Sequence, residues 1–213
     1  MSAQARAAFL QEQFESPEKQ AHAARLGMWI FISTEILLFS GLFVAYGSYR
    51  TQFPLDFERA SRLLEIDIGT ANTFILLTSS FFVALSMHFV RGGRSRLCAA
   101  MIGAAILLGF AFMALKAIEY RADIVEGLLP GRYLRVPEVR TQGASVFYSL
   151  YWIATGLHAL HVTVGLSVLL VVASRAWRGA YGPAYHTPVE LGGMYWHLVD
   201  TIWIFLWPLL YLL

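Results

Sequence analysis

The chain has one cysteine, Cys98, in 213 residues, which excludes an internal disulfide. Cys98 opens an apolar run and reads as a small packing residue rather than a reactive thiol. Charge is scarce as well. Asp, Glu, Lys and Arg together make up 14% of the chain against 57% hydrophobic residues, at a mean hydropathy of +0.56, and no soluble core explains that balance. Residues 1–25 lack the pattern of a secretory signal, because Glu12, Glu15 and Glu18 interrupt any apolar run; this stretch is expected to be a cytoplasmic tail with a short surface helix ending near Pro17. There is no internal repeat and no pair of broken helices, the usual marks of a transporter. No set of His, Cys and carboxylate residues shows the spacing of a metal or haem site.

What the chain does have is long apolar stretches. A hydrocarbon layer about 30 Å thick needs about 20 helical residues to cross it. Five stretches reach that length, over about 26–49, 70–90, 97–120, 144–174 and 191–213. The fold class predicted is an all-α integral membrane protein, a bundle of five transmembrane helices over residues 26–213 with no room for a separate soluble domain. The connection holding Arg91, Arg94 and Arg96 carries no acid, whereas Asp56, Glu58, Glu65 and Asp67 dilute the first connection and Asp123, Glu126 and Glu138 the third. Basic loops stay on the cytoplasmic side, so the N-terminus is expected inside and the C-terminus outside.

Ionisable groups inside such spans are costly, about 2.5–3.5 kcal/mol each at the bilayer centre on insertion scales, and they need partners. Glu35 is the only acid in LGMWIFISTEILLFSGLFVAY and lies about 13 Å from the start of that span, too deep to snorkel. Two readings stay open for it: a proton-linked or partner-facing carboxylate, and a neutral group bonded to Ser33, Thr34 or a neighbouring helix. Lys116 and Glu119 are spaced for an intrahelical ion pair near the membrane surface, a structural reading favoured over a proton path. His158 and His161 share one helical face. So do His197 and Asp200, in a last segment that begins at Glu190 and carries Trp196, Trp203 and Trp207 close to the same stripe. Packing and hydrogen bonding are favoured over ligation for His158, His161 and His197; Glu190 and Asp200 join them as polar structural or interface candidates.

In order along the chain, LGMWIFISTEILLFSGLFVAY, LLTSSFFVALSMH, LKAIEY, YSLYWIATGLHALHVTVGL and ELGGMYWHLVDTIWIFLW resemble subunit III of the haem-copper cytochrome c oxidases, in the five-helix form typical of bacteria. The resemblance implies an accessory subunit of an oxygen-reducing, proton-translocating complex, in which this chain performs no redox chemistry. It implies no catalytic, cofactor-binding or metal-ligating residue here, with haem and copper in partner subunits. It also implies direct contact with subunit I, association with subunit II and other oxidase subunits, membrane lipids as neighbours, a place for the complex in a respiratory supercomplex, and no nucleic acid. The expected location is the bacterial inner membrane, and the expected role is support of assembly, stability and proton uptake by subunit I. Glu35 matches the family's buried, carbodiimide-reactive carboxylate. The mitochondrial-type subunit has seven helices and this chain matches the last five, so the family's phospholipid cleft, completed by the first two, stays an open expectation. Cytochrome c is the expected donor, with a quinol oxidase and the related nitric oxide reductase accessory protein as alternatives. A stand-alone transporter and a membrane cytochrome b are the remaining ones.

Overall fold

The computed structural model of the chain describes residues 11–212. Among the described residues six α-helices follow one another: α1 (Pro17–Gln52), α2 (Pro54–Ser61), α3 (Ile66–Arg91), α4 (Ser95–Glu126), α5 (Gln142–Trp177) and α6 (Thr187–Trp207). A π-helical turn over Pro208–Leu212 continues α6, and no strand occurs among the described residues. Among the described residues four helices, α1, α3, α4 and α5, are long and apolar enough to cross a membrane, so this is a multi-pass membrane protein. The expected bundle of five spans is therefore met by four on length and composition. With 21 residues α6 has the length, but Glu190, His197, Asp200 and its ring-bearing residues dilute its apolar character, and the short α2 lies in what was read as a connection.

Several boundaries differ from the sequence expectation for local reasons. Pro17 starts a helix instead of ending one: Ser16 is the N-cap, its Oγ accepting from the Lys19 N–H at 3.2 Å, and proline at the first helical position needs no donor. Residues 11–16, where the surface helix was expected to end, form turns and bends, and the rest of that stretch lies outside the described residues. At its other end α4 runs past Tyr120 to Glu126. It stops where Gly127 takes φ +80° and the Leu128 N–H reaches back to the Asp123 carbonyl at 2.9 Å, a Schellman ending. Pro208 breaks the last span, since it has no N–H for the ladder, and the wider turn that follows carries Tyr211 back into the bundle.

Helices α3, α4, α5 and α6 pack in a ring in that order, with α6 closing against α3. Helix α1 lies across the α5–α6 edge and touches it mainly through Ile32, Phe39 and Tyr46, a stripe repeating every seven residues. The rest of α1, including Leu26, Trp29, Leu37 and Val44, is exposed apolar surface suited to lipid or to another membrane protein. Helix α2 is pinned to α5 by Phe57, which meets Phe147 and Tyr46 edge-on at 5.4 Å and 5.3 Å.

Trp196 holds the ring together. Its fully buried indole lies between Gly109 of α4 and Gly165 of α5 and donates to Ser79 Oγ of α3 at 3.0 Å. A β-carbon at Gly109 would sit 2.7 Å from Leu166 and 2.9 Å from the Trp196 ring, and one at Gly165 2.9 Å from that ring. Close approach at small residues is the usual means of packing helices in lipid, where no hydrophobic force draws them together. Gly109→Val is therefore expected to destabilise the bundle by about 1–3 kcal/mol through overpacking. Gly103→Val on the same helix, where nothing lies within 4 Å, should cost much less. Thermal unfolding of the two variants in detergent, followed by tryptophan fluorescence, checks the difference.

Candidate functional site: Glu35 and the polar column of the bundle

From α1, Glu35 points at α5, where its Oε2 lies 2.8 Å from His161 Nε2. Its neighbours Ser33 and Thr34 donate instead to their own helix, to the carbonyls of Trp29 and Phe31 at 2.9 Å and 2.6 Å. Of the partners expected for Glu35, the structure places the one on a neighbouring helix in contact. The other ring nitrogen, His161 Nδ1, faces the Leu157 carbonyl at 2.8 Å. A carbonyl only accepts, so Nδ1 carries hydrogen and Nε2 is left facing the carboxylate. One proton then lies between Nε2 and Oε2, on either atom. Phe39 closes over the imidazole edge-on at 5.3 Å, and the two side chains are only 16% and 11% exposed. This pair links α1 to α5 through a polar contact.

Continuing along α5, the buried stripe passes through His158, Thr155, Tyr151 and Tyr148, at the three- and four-residue spacing that keeps side chains on one helical face. His158 stacks on Trp203 at 5.1 Å and meets Phe112 edge-on at 5.6 Å, and neither of its nitrogens has a hydrogen-bond partner among the described residues. Thr155 Oγ1 pairs with the Tyr120 hydroxyl at 2.6 Å.

Lys116 and Glu119 are not a surface pair. They are 3% and 0% exposed, enclosed by α4, α5 and the C-terminal turn, with the Lys116 ammonium 3.1 Å from Glu119 Oε1. The ammonium also donates to the hydroxyls of Tyr211 at 2.7 Å and Tyr151 at 3.1 Å. The rings of Tyr151, Tyr120, Tyr211 and Trp203 surround it with centroids 4.8, 5.0, 5.4 and 5.6 Å away, within the range of cation–π attraction. Tyr211 donates to Glu119, and the Tyr151 hydroxyl lies 3.0 Å from Glu119 Oε1 and 2.8 Å from Asp123 Oδ2. The intrahelical pair forms as its spacing predicts, but the enclosing rings leave the Lys116 stem no path toward water, and α4 continues for another turn and a half beyond Tyr120. The same early stop hid Asp123, which shares a face with Glu119 at four-residue spacing. Tyr211 gave no signal, since the π-turn that aims it could not be read from an apolar run.

Polar groups of α6 face α3. His197 Nδ1 lies 2.6 Å from Ser80 Oγ, the Asp200 carboxyl is buried near that serine with its Oδ1 unpartnered among the described residues, and the Trp203 indole donates to Thr73 Oγ1 at 3.1 Å. The partner this face requires is thus a helix of the same chain. Glu190, at the start of α6, takes a forked bond from Arg25 of α1, with Nε at 2.9 Å and an outer guanidinium nitrogen at 3.0 Å. Among the described residues no group of three or more His, Cys, Asp or Glu is gathered to hold a metal ion.

Removing one member of a buried ion pair strands the other, at a typical cost of about 3–5 kcal/mol, whereas replacing both with apolar groups is far milder. Lys116→Met is accordingly expected to reduce the folded chain recovered from membranes strongly, and Lys116→Met combined with Glu119→Leu to restore part of it. Size-exclusion yield of the two variants gives the comparison.

The family described as cytochrome c oxidase subunit III matches residues 12–213. A cytochrome c oxidase subunit 3 from Thermostichus vulcanus is 34% identical, over 88% of this chain and 86% of the relative. One from Gallus gallus is 32% identical over 88% and 68%. A quinol oxidase subunit 3 from Bacillus subtilis is 28% identical over 92% and 91%. With a family match from residue 12 to the last residue and relatives of this identity covered over most of their length, the chain belongs to the cytochrome c oxidase subunit III family.

Proposed function

We propose that this chain is the accessory subunit III of a haem-copper terminal oxidase in the bacterial inner membrane, holding no redox centre itself and supporting assembly, stability and proton uptake of subunit I. The observation that carries the reading is the family match over residues 12–213. His161 is bonded to Glu35 and Leu157, His197 to Ser80, and His158 is enclosed by Phe112 and Trp203, which suits a packing and bonding role for all three. In this reading haem and copper belong to the partner subunits. The exposed apolar side of α1 supports contact with subunit I or with lipid, and subunit II and supercomplex partners complete the proposed assembly. A cavity of about 550 Å³ between α1 and α6, lined by Trp29, Ile36, Phe43, Met194 and Phe205, supports a phospholipid acyl chain as a bound group.

Cytochrome c is the proposed donor. Relatives named for cytochrome c oxidase share 34% and 32% identity, against 28% and 27% for two named for quinol oxidases. With α6 counted as a fifth span, the basic turn between α3 and α4, holding Arg91 and Arg94, supports the N-terminus inside and the C-terminus outside.

Tagging the chain in its native membranes and purifying it in mild detergent should bring subunits I and II with it in equal amounts, identified by mass spectrometry. The donor-binding domain of subunit II then distinguishes cytochrome c from quinol, and a chain that emerges alone overturns the reading. Within that complex Glu35→Gln should abolish labelling by a hydrophobic carbodiimide, because an amide lacks the nucleophilic oxygen, and leave the haem spectrum intact. Labelling that persists would place the reactive carboxyl elsewhere.

A further inference from the structure

We propose that the cluster around Lys116 is a proton-binding site, in which Asp123 carries a carboxylic proton directed at the Tyr151 oxygen. The hydrogens available in the cluster require this, whatever complex the chain joins. Lys116 has three N–H groups and three acceptors, Glu119 Oε1 at 3.1 Å, the Tyr211 oxygen at 2.7 Å and the Tyr151 oxygen at 3.1 Å. Tyr211 gives its single hydrogen to Glu119. Tyr151 also has a single hydrogen, yet its oxygen lies within bonding distance of two carboxylates, 3.0 Å from Glu119 Oε1 and 2.8 Å from Asp123 Oδ2. It can serve only one of them.

If both carboxyls were ionised, one of these oxygen–oxygen contacts would hold no hydrogen, and two anions would share one ammonium where water is excluded. Burying a charge that lacks a partner is strongly unfavourable. One further proton removes both difficulties. With Asp123 protonated, Tyr151 donates to Glu119 and accepts from Asp123 and Lys116, every short contact contains a hydrogen, and the charges of Lys116 and Glu119 cancel. The proton belongs on Asp123 rather than Glu119. Glu119 Oε1 already accepts from Lys116 and Tyr211, and Glu119 Oε2 has no partner among the described residues, so a hydrogen there would point at nothing. The groups that face Asp123 are Lys116, Glu119, Tyr120 and Glu126 on α4, Tyr148 and Tyr151 on α5, and Tyr211 on the C-terminal turn, with Lys116 the cation among them. When the site releases its proton to water, the O–H bond of Asp123 breaks, one uncompensated negative charge remains in the bundle, and the α4–α5 link through Tyr151 loses a bond. Proton occupancy is thereby coupled to the packing of α4 against α5.

Infrared spectroscopy of the full-length chain, purified in mild detergent with whatever subunits accompany it, tests this. Asp123→Asn, which keeps the shape and can still donate to Tyr151, should remove carboxylic-acid C=O absorption equivalent to one group per chain and leave the carboxylate bands unchanged. Tyr151→Phe should shift that same acid band to higher frequency, since the acid loses its acceptor, without reducing its intensity. Loss of carboxylate absorption in Asp123→Asn, with the acid region intact, would overturn the proposal. Should Asp123→Asn fail to accumulate, Tyr151→Phe decides alone: an unshifted acid region refutes a proton on Asp123.

Discussion

Inside a bilayer no water stands ready to satisfy a polar side chain, so most of the polar contacts in this bundle are made to another turn of the protein. Lys116 is where this constraint acts most strongly. Its ammonium joins α4, α5 and the turn after α6 through Glu119, Tyr151 and Tyr211, and without these contacts a cation would be stranded among aromatic rings. The π-turn is tied to the same demand. Pro208 frees the chain from regular helical geometry, and the widened turn brings the Tyr211 hydroxyl to the ammonium.

Away from Lys116, polarity and packing work together along the α3–α6 contact. The two helices run antiparallel, and hydroxyls on α3 meet ring nitrogens on α6: Thr73 with Trp203, Ser79 with Trp196, Ser80 with His197. Each bond fixes a large ring in one orientation, and Gly109 and Gly165 clear the space that the most buried of these rings fills. A hydrogen bond in this region is worth modest energy, and much of its effect is to set the register in which the helices can approach closely.

Much of this was legible in the sequence. Apolar length and scarce charge gave the membrane class and the approximate spans, and the depth of Glu35 marked it as needing a partner. The identity of that partner was not legible, because His161 lies 126 residues away and spacing along one helix says nothing of its rotation against another. The Lys116 pair was misplaced for a different reason. An apolar window ends near Glu119 to Arg121, although the helix continues to Glu126 with Glu119 and Asp123 turned inward. Hydropathy reports average polarity and is blind to which way a polar residue faces. For the same reason the polar face of α6 asked for protein contact without revealing that α3 supplies it.

The attachment of α1 also bears on how the protein is made. Its polar anchors are separated from it by 126 residues for Glu35–His161 and 165 for Arg25–Glu190. At about 5–20 residues per second, the ribosome needs about 6–25 s to produce His161 after Glu35. Throughout that interval α1 has no docking surface, because α5 and α6 do not yet exist. A helix that buries so little against its own bundle tolerates such a wait in lipid, and Glu35 is the single residue in it for which the delay is costly. A span synthesised well before its partners is therefore among the last to be secured, and a chain stalled before α5 would leave it adrift with its carboxyl unmatched.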